Sequence, residues 1–360
     1  MSAGNEIDSP VLVTGGAGFI GSNIADRLLR DGRRVRIFDS IARAGVHANI
    51  DWLKGRHGER VEVIVADVRE HDRLAAAVQG VSAVFHMAAQ VAVTTSLVDP
   101  VEDFDINVRA TLALLEAVRG MGRRIPLIFA STNKVYGDLA DMAFEQRGDR
   151  YAPMDAELRD HGVGEARPLD FHTPYGCSKG AADQYVLDWA RSYDLPTCVM
   201  RMSCVYGPRQ MGTEDQGWVA HFLIRALEGE GITLYGDGRQ VRDILQVGDV
   251  VDAYLAALER IEAVRGRAFN LGGGPPNAVS LRELIGFIGQ EIGRPVQVEY
   301  ADWRQGDQRF FVADMREAER ALGLKPRTPW RDGVAGLADW LAEHRGLPRH
   351  ARAPAKVAAG

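Results

Sequence analysis

Little in this sequence points to the extracellular space, a membrane or a nucleic acid. Three of the 360 residues are cysteines, Cys177, Cys198 and Cys204. An odd number, at spacings unlike those of metal ligands, makes neither a disulfide framework nor a metal site. A reducing cytoplasm is the expected compartment. No apolar run approaches the ~20 residues that span a bilayer, and residues 1–8 lack the pattern of a secretory signal. Positive charge is also short. Lys and Arg number 43 against 49 Asp and Glu, a net charge of −6, which argues against nucleic acid as a partner and offers no polybasic patch for a membrane. Internal repeats and low-complexity tracts are missing too. What remains, 46% hydrophobic and 26% charged, is the composition of an ordinary globular protein, and the length predicts about two domains.

The first signal is a turn. Residues 10–14 read as a short buried strand, and Gly15-Gly-Ala-Gly18-Phe-Ile-Gly21 then opens an amphipathic helix running to residue 30. Glycines at 15, 18 and 21 allow a tight bend, let the backbone approach a pyrophosphate and pack the helix on the strand, with the phosphates at the helix N-terminus. Strand, glycines and helix come in the order a dinucleotide site requires. A second strand at 34–38 ends in Asp39, where a carboxylate would accept both ribose hydroxyls of an adenosine and repel a 2′-phosphate. NAD is therefore expected rather than NADP. Arg43, close by, is expected to be an exposed loop arginine.

Strands at 61–65, 82–85, 126–130 and 196–201 follow, with a helix at 100–119 between the second and third of these. The alternation predicts an α/β fold, a Rossmann-type doubly wound parallel sheet with ligands at the carboxyl ends of its strands. Asp67-Val68, His86-Met-Ala-Ala-Gln90 and Ser131-Thr132 all fall at such ends. His86 is expected to be structural. The 137–173 stretch reads as a long, charged, strand-poor insertion, a lid or an interface flap. Beyond 201, short elements alternate: helices near 217–227, 248–259, 281–291, 315–322 and 332–344, and strands near 232–235 and 241–245. The expected division is a cofactor-binding domain at 1–201 with a strand–helix return near 239–261. A smaller C-terminal α/β substrate-binding domain takes 202–238 and 262–345, and 346–360 forms a flexible tail.

Tyr175-Gly-Cys-Ser-Lys179 carries the chemistry. On a helix the two side chains share one face. A phenol ordinarily ionises near pH ~10, and moving that to ~7 asks for roughly 4 kcal/mol, within reach of a neighbouring ammonium and a positively charged cofactor ring. A phenol tuned in this way can take the proton of a sugar hydroxyl while hydride leaves the same carbon.

With Gly15, Gly18, Gly21, Asp39, Thr132, Tyr175 and Lys179 in order, the chain resembles the extended short-chain dehydrogenase/reductase superfamily, in particular its nucleotide-sugar epimerases and dehydratases. The resemblance covers 11–340. Ser131-Thr-Asn-Lys-Val-Tyr-Gly-Asp-Leu139, Leu169 to Tyr185, Tyr206-Gly-Pro-Arg-Gln210, Asp215-Gln-Gly-Trp-Val219 and Gln240-Val-Arg-Asp243 make it most similar to the group that inverts C2 of a CDP-linked dideoxyhexose. The resemblance implies that Thr132, Tyr175 and Lys179 are catalytic. It implies that NAD contacts Gly15, Gly18, Phe19, Ile20, Gly21, Asp39, Asp67, Val68, Ala88, Gln90, Ser131, Tyr175 and Lys179. It also implies a substrate site of Val93, Thr94, Asn133, Cys204, Arg209, Trp218, Arg242 and Arg309, with no metal. Arg242 and Arg309 would grip the diphosphate, to which a guanidinium fork is suited, and Arg209 would do likewise or reach the nucleoside.

Two departures matter. Dehydratases of this superfamily carry an Asp-Glu pair just after the threonine, to remove water from the oxidised sugar; here those places hold Asn133 and Lys134. Cys204 stands where many relatives have an asparagine that touches the substrate phosphate. The expected activity is thus epimerisation through a transient keto sugar, at C2 of a CDP-activated hexose or dideoxyhexose. A 4-epimerase of a UDP-hexose or UDP-hexuronate, a net oxidoreductase and a non-catalytic sensor of NAD and sugar nucleotide stand as alternatives. A homodimer through helices like 100–119 and 175–192 is the expected assembly.

Overall fold

Val11–Thr14 (β1) is buried along its whole length, as a central strand covered on both faces must be. Its side chains alternate between two apolar clusters: Val11 and Val13 enter one with Ile24, Leu28, Val250 and Tyr254, while Leu12 enters the other with Leu74, Leu114, Val186 and Trp189. The computed structural model describes residues 9–213, 216–304 and 306–346. Asp215 of the motif noted above and the expected tail beyond 346 lie outside them.

After β1 come Val35–Asp39 (β2), Val61–Val65 (β3), Ala83–His86 (β4), Leu127–Thr132 (β5), Thr197–Met202 (β6) and Arg267–Leu271 (β7). They form one seven-stranded sheet in the order β7-β6-β5-β4-β1-β2-β3, each pair parallel. Strand order reverses between β1 and β4, so a crevice opens at their carboxyl ends, where Thr14 and His86 pair. The helix Phe19–Arg30 (α1) follows the glycine turn, and Thr173–Tyr193 (α2) carries the Tyr175 motif.

Three expectations are corrected. The strand expected to return to the sheet near 241 does not. Val241–Gln246 pairs instead with Cys204–Tyr206, Ala278–Ser280 and Phe310–Phe311. It carries buried Arg242 and Asp243, whose partners lie there: Arg242 Nη2 bonds Asp307 at 2.6 Å, and Asp243 Oδ2 accepts from the backbone of Gly274 and Ala313. The seventh strand is β7, and of the expected return only the helix Val247–Glu259 (α3) lies on the sheet, with Tyr254 against Phe85. Second, the 137–173 insertion is not strand-poor. It forms a hairpin, Phe144–Arg147 with Arg150–Pro153, and a short helix at Ala156–His161. It is stitched down by Tyr151 N to Arg239 O, by Arg150 to Glu283, and by Val163 to the backbone of Val312 and Asp314. Third, the helix expected at 100–119 is interrupted by a π turn at Asp105–Arg109, a feature that often marks a functional site.

A third apolar cluster, including Tyr206, Leu223, Leu284 and Leu337, is drawn wholly from residues after 205. The three cysteines are free. Among the described residues no helix is long and apolar enough to cross a membrane.

Candidate active site

The β1–α1 turn leaves no room for side chains. Gly15 has φ of +67°, and a Cβ on it would come within 2.7 Å of Ala88 N. A Cβ on Gly21 would lie 2.2 Å from Gly15 O, and one on Gly18 would lie 3.1 Å from the same oxygen. The close approach of the helix to the turn therefore depends on glycine at 15 and 21. No side chain caps α1 at Gly18 and no acidic residue sits in its first turn, so the free amides and positive end of the helix dipole face an anion unopposed. Phe19 and Ile20, the first residues of that turn, are partly exposed. Asp39, at the end of β2, accepts from Ala17 N and Ile41 N, both at 2.9 Å, which fixes its carboxylate beside the turn. This cradle and its carboxylate fit a dinucleotide. Further along, Asp67 is held by a two-pronged pair with Arg69, which keeps its carboxyl below the ordinary carboxylate range, and Val68 is buried beside it. Arg43 is exposed as expected, but its guanidinium bonds Gln216 Oε1 and feels the charges of Asp39 and Tyr175.

Tyr175, Thr132 and Lys179 come together where the sequence places them, at the end of β5 and the start of α2. The Thr132 hydroxyl donates to Asn133 Oδ1 at 3.3 Å and accepts from Lys134 N at 3.2 Å, and it opposes the effect of burial on the Tyr175 phenol. Tyr175 N donates to Ser96 Oγ at 3.2 Å, docking the short helix Val93–Val98 on α2. Val93 is partly buried there and Thr94 is exposed. The expected tuning of the phenol by Lys179 is not what sets its acidity here. Burial pushes Tyr175 up to about 12, with the Thr132 hydroxyl the largest opposing influence. Burial likewise pushes the Lys179 amine down to about 7, against the pull of Asp183 and Asp103, and Nζ lies 4.2 Å over the Phe129 ring. Desolvation outweighs the pairing, so both groups favour their neutral forms.

Several side chains expected to touch cofactor are engaged elsewhere. Ser131 Oγ donates to Asp183 at 2.7 Å, in a buried network where Arg201 bonds both Asp183 oxygens at 2.9 Å and Tyr136 OH at 3.1 Å. The Gln90 amide donates to Asp103 and Ala92 O, its carbonyl accepts from Ala92 N, and its backbone N–H donates to Asn107 Oδ1. What Ser131 and Gln90 can offer a ligand is therefore backbone. His86 is structural as expected: Nδ1 pairs with Thr14 Oγ1 at 2.7 Å and Nε2 with Thr111 Oγ1 at 3.0 Å, and burial pushes it down to about 3.

On the far side of Tyr175 the expected substrate residues divide. Asn133 Nδ2 donates to Gln308 Oε1 at 3.2 Å, and Arg242 bonds Asp307. Burial raises the Cys204 thiol, opposed by the charges of Arg242 and Lys134, and Trp218 packs edge-on against Phe222. These belong to one pocket. Arg309 does not join them: it is exposed, over the Tyr151 ring at 5.5 Å. Nor does Arg209, whose guanidinium stacks 4.0 Å over Trp52 and 5.7 Å from Trp340. Cation–π contact with two rings holds the guanidinium at that spot.

Asn107, Asp183 and Gln308 went unnoticed in the sequence. Asn107 sits in the π turn and bonds Gln90, Asp103 and Ser178. Asp183 repeats the four-residue step of Tyr175 and Lys179 along α2, a signal that could have found it. Gln308, bonded to Asn133 and Gly137, had none. Among the described residues Asp138, Asp170 and His172 group together with metal-type donors, but the two histidine nitrogens already face the carboxylates, at 3.4 and 3.1 Å.

Known proteins agree with this geometry. A profile of the NAD dependent epimerase/dehydratase family matches residues 11–272. The chain is 41% identical to a CDP-paratose 2-epimerase from Salmonella typhi, over 92% of this chain and 99% of that protein. It is 33% identical to a UDP-glucose 4-epimerase from Mycolicibacterium smegmatis, over 92% and 97%. Among solved structures, a Thermus thermophilus UDP-glucose 4-epimerase in complex with NAD superposes with a TM-score of 0.77 at 32% identity, over 92% of this chain and 98% of that one. A Bacillus cereus UDP-glucuronic acid 4-epimerase with UDP-glucuronic acid and NAD gives 0.79 at 27%, over 93% and 99%. The chain therefore belongs to the NAD-dependent epimerase/dehydratase family, with NAD as cofactor.

Proposed function

We propose that this nucleotide-sugar epimerase inverts C2 of a CDP-activated hexose or dideoxyhexose. The observation that carries epimerisation is the pocket wall next to Thr132. Asn133 and Lys134 point to Gln308 and Gly306 O, and neither is the carboxylate that elimination of water would need. The similarity to a CDP-paratose 2-epimerase supports C2 and cytidine. The matches to UDP-glucose and UDP-glucuronic acid 4-epimerases support a second reading, inversion at C4 of a UDP-sugar. An intact Thr132, Tyr175 and Lys179 set speaks against a non-catalytic sensor.

In this reading the amides around Gly15, Gly18, Phe19, Ile20 and Gly21 hold the pyrophosphate of NAD. Asp39 holds the adenosine ribose, Asp67 and Val68 meet the adenine edge, and the backbone of Ala88, Gln90 and Ser131 lies under the nicotinamide end. When bound, NAD would supply the hydride chemistry, accepting hydride from the reacting sugar carbon and giving it back. Thr132 hydrogen-bonds the reacting oxygen and Tyr175 takes up its proton and gives it back. Lys179 would orient the nicotinamide ribose, and the positive charge of the bound cofactor ring would favour the Tyr175 phenolate. Arg242 grips the diphosphate, so that binding energy from the nucleotide retains the keto sugar while it turns. Segments 202–238 and 262–345, β7 excepted, cover the sugar nucleotide. Val98, Val101 and Phe104 stand 86%, 68% and 47% exposed, and Tyr185 and Tyr193 on α2 stand 41% and 47% exposed; we assign these exposed apolar residues to a homodimer interface, and the protein to the cytoplasm.

Purified protein is incubated with CDP-, UDP- and GDP-hexoses without added NAD(H), and products are resolved by NMR. Inversion at C2 of a CDP-sugar is expected. Inversion at C4 of a UDP-sugar with none at C2 would replace this reading by the second, and steady release of NADH would make the protein a net oxidoreductase.

A further inference from the structure

We propose that the Lys134 ammonium, beside Arg242, holds the phosphate attached to the sugar's anomeric carbon and stays with it while the sugar turns. The inference rests on the reading of the substrate as a sugar nucleotide, at either carbon.

Lys134 is rooted two residues beyond Thr132, in a turn whose backbone N–H bonds the threonine hydroxyl. Its Nζ donates to Gly306 O at 2.9 Å, and Arg242 Nη2 reaches Asp307 Oδ1 at 2.6 Å. Two cations from distant parts of the chain are thus fastened to consecutive residues of one loop. The hydrogen-bonded carboxylate there is engaged by Arg242, whereas Lys134 is bonded to a neutral carbonyl. Part of the Lys134 side chain faces solvent, yet burial is the largest influence on its amine and lowers it to about 8, with Arg242 adding to the effect and Asp307, Cys204 and Asp138 opposing it. A desolvated ammonium whose hydrogen bond is to a neutral carbonyl is costly unless an anion arrives.

The other polar groups nearby do not fill that role. Arg309 is turned out over Tyr151, and Cys204, within range of both cations, offers only a weak S–H donor. Lys134 suits the task for a further reason. The anomeric phosphate is the pivot of the turning sugar, and its oxygens must shift as the ring presents its other face. An ammonium on a four-carbon stem is a point charge with three rotatable donors. It follows such a shift, where a planar fork would lose its geometry.

The test is calorimetric binding of CDP, CMP, UDP and UMP to the wild type, Lys134→Met and Lys134→Arg. Lys134→Met should weaken the better-bound diphosphate by about 10- to 100-fold and leave its monophosphate within about twofold, while Lys134→Arg retains most of the preference. Equal losses for diphosphate and monophosphate would assign Lys134 a purely structural part and overturn the proposal. So would a variant that binds the diphosphate like the wild type. A wild type that binds none of the four would remove the sugar-nucleotide reading itself, and the proposal with it.

Discussion

The cofactor wall and the substrate wall of the cleft are built by different means. On the cofactor wall, Gly15, Gly18 and Gly21 belong to one turn, and Asp39 meets that turn through Ala17 N. Backbone conformation and strand ends do the positioning. On the substrate wall, Thr132, Asn133 and Lys134 meet Arg242, Cys204 and the loop at 306–308, which come from three separate stretches of chain. Buried polar pairs do the positioning there. The behind-the-sheet network ties both together: Arg201 and Asp183 link β6 to α2, Ser131 to β5, and Tyr136 through Asn270 to the insertion at Val163. A wall fixed by backbone geometry fails by steric intrusion. One fixed by buried charges fails by losing a partner.

That contrast can be broken first at the charge pair. Arg201 and Asp183 are 4% and 0% exposed, so Arg201→Met strands a buried carboxylate and should lower the unfolding free energy by about 3–5 kcal/mol in denaturant titrations. A loss under about 1 kcal/mol would show that this pair does not hold the two walls in register. The next effect is steric. Gly21→Ala puts a methyl 2.2 Å from Gly15 O, forcing a backbone shift that costs about 1–3 kcal/mol. The NAD content of the purified protein, assayed after denaturation, should fall about tenfold, and full retention would contradict the cradle. The smallest effect lies at the seam, in Lys179. Its amine titrates at 10.5 when unfolded and at about 7 when folded. Between those values the unfolded chain binds more protons, so stability rises with pH. For nucleotide-free protein between pH 7 and 9 the rise from this residue is at most about 1.4 kcal/mol per pH unit, with Lys134 adding in the same direction above about pH 8. Lys179→Met should flatten the profile, and an unchanged slope would mean that the burial of Lys179 is not felt.

Legibility follows the same division. β1, β3 and α1 lie within a residue of where periodicity and glycines put them, because both faces of the sheet demand apolar residues and the turn admits only glycine. The strand at 241–246 was assigned to the wrong sheet, since its apolar pattern says that it is buried but not against what. Nothing in the sequence announces that Trp52 and Trp340 flank Arg209. The hairpin at 144–153 has a first strand that is exposed and polar after Phe144 and a second that carries a proline, without the alternation that marks a half-buried sheet.

By itself the sequence determined the parallel sheet, the dinucleotide turn and the Tyr175–Lys179 pair, encoded in short-range spacing that local geometry turns directly into position, while Thr132 was implied by the family resemblance. Only the tertiary structure decided that Arg209 lies over Trp52 and Arg309 over Tyr151, that Ser131 and Gln90 spend their side chains on internal networks, and that Lys134 and Arg242 bond consecutive residues of one loop. Those outcomes depend on which distant groups share a desolvated space, and charge in such a space is settled by partners that no local pattern contains.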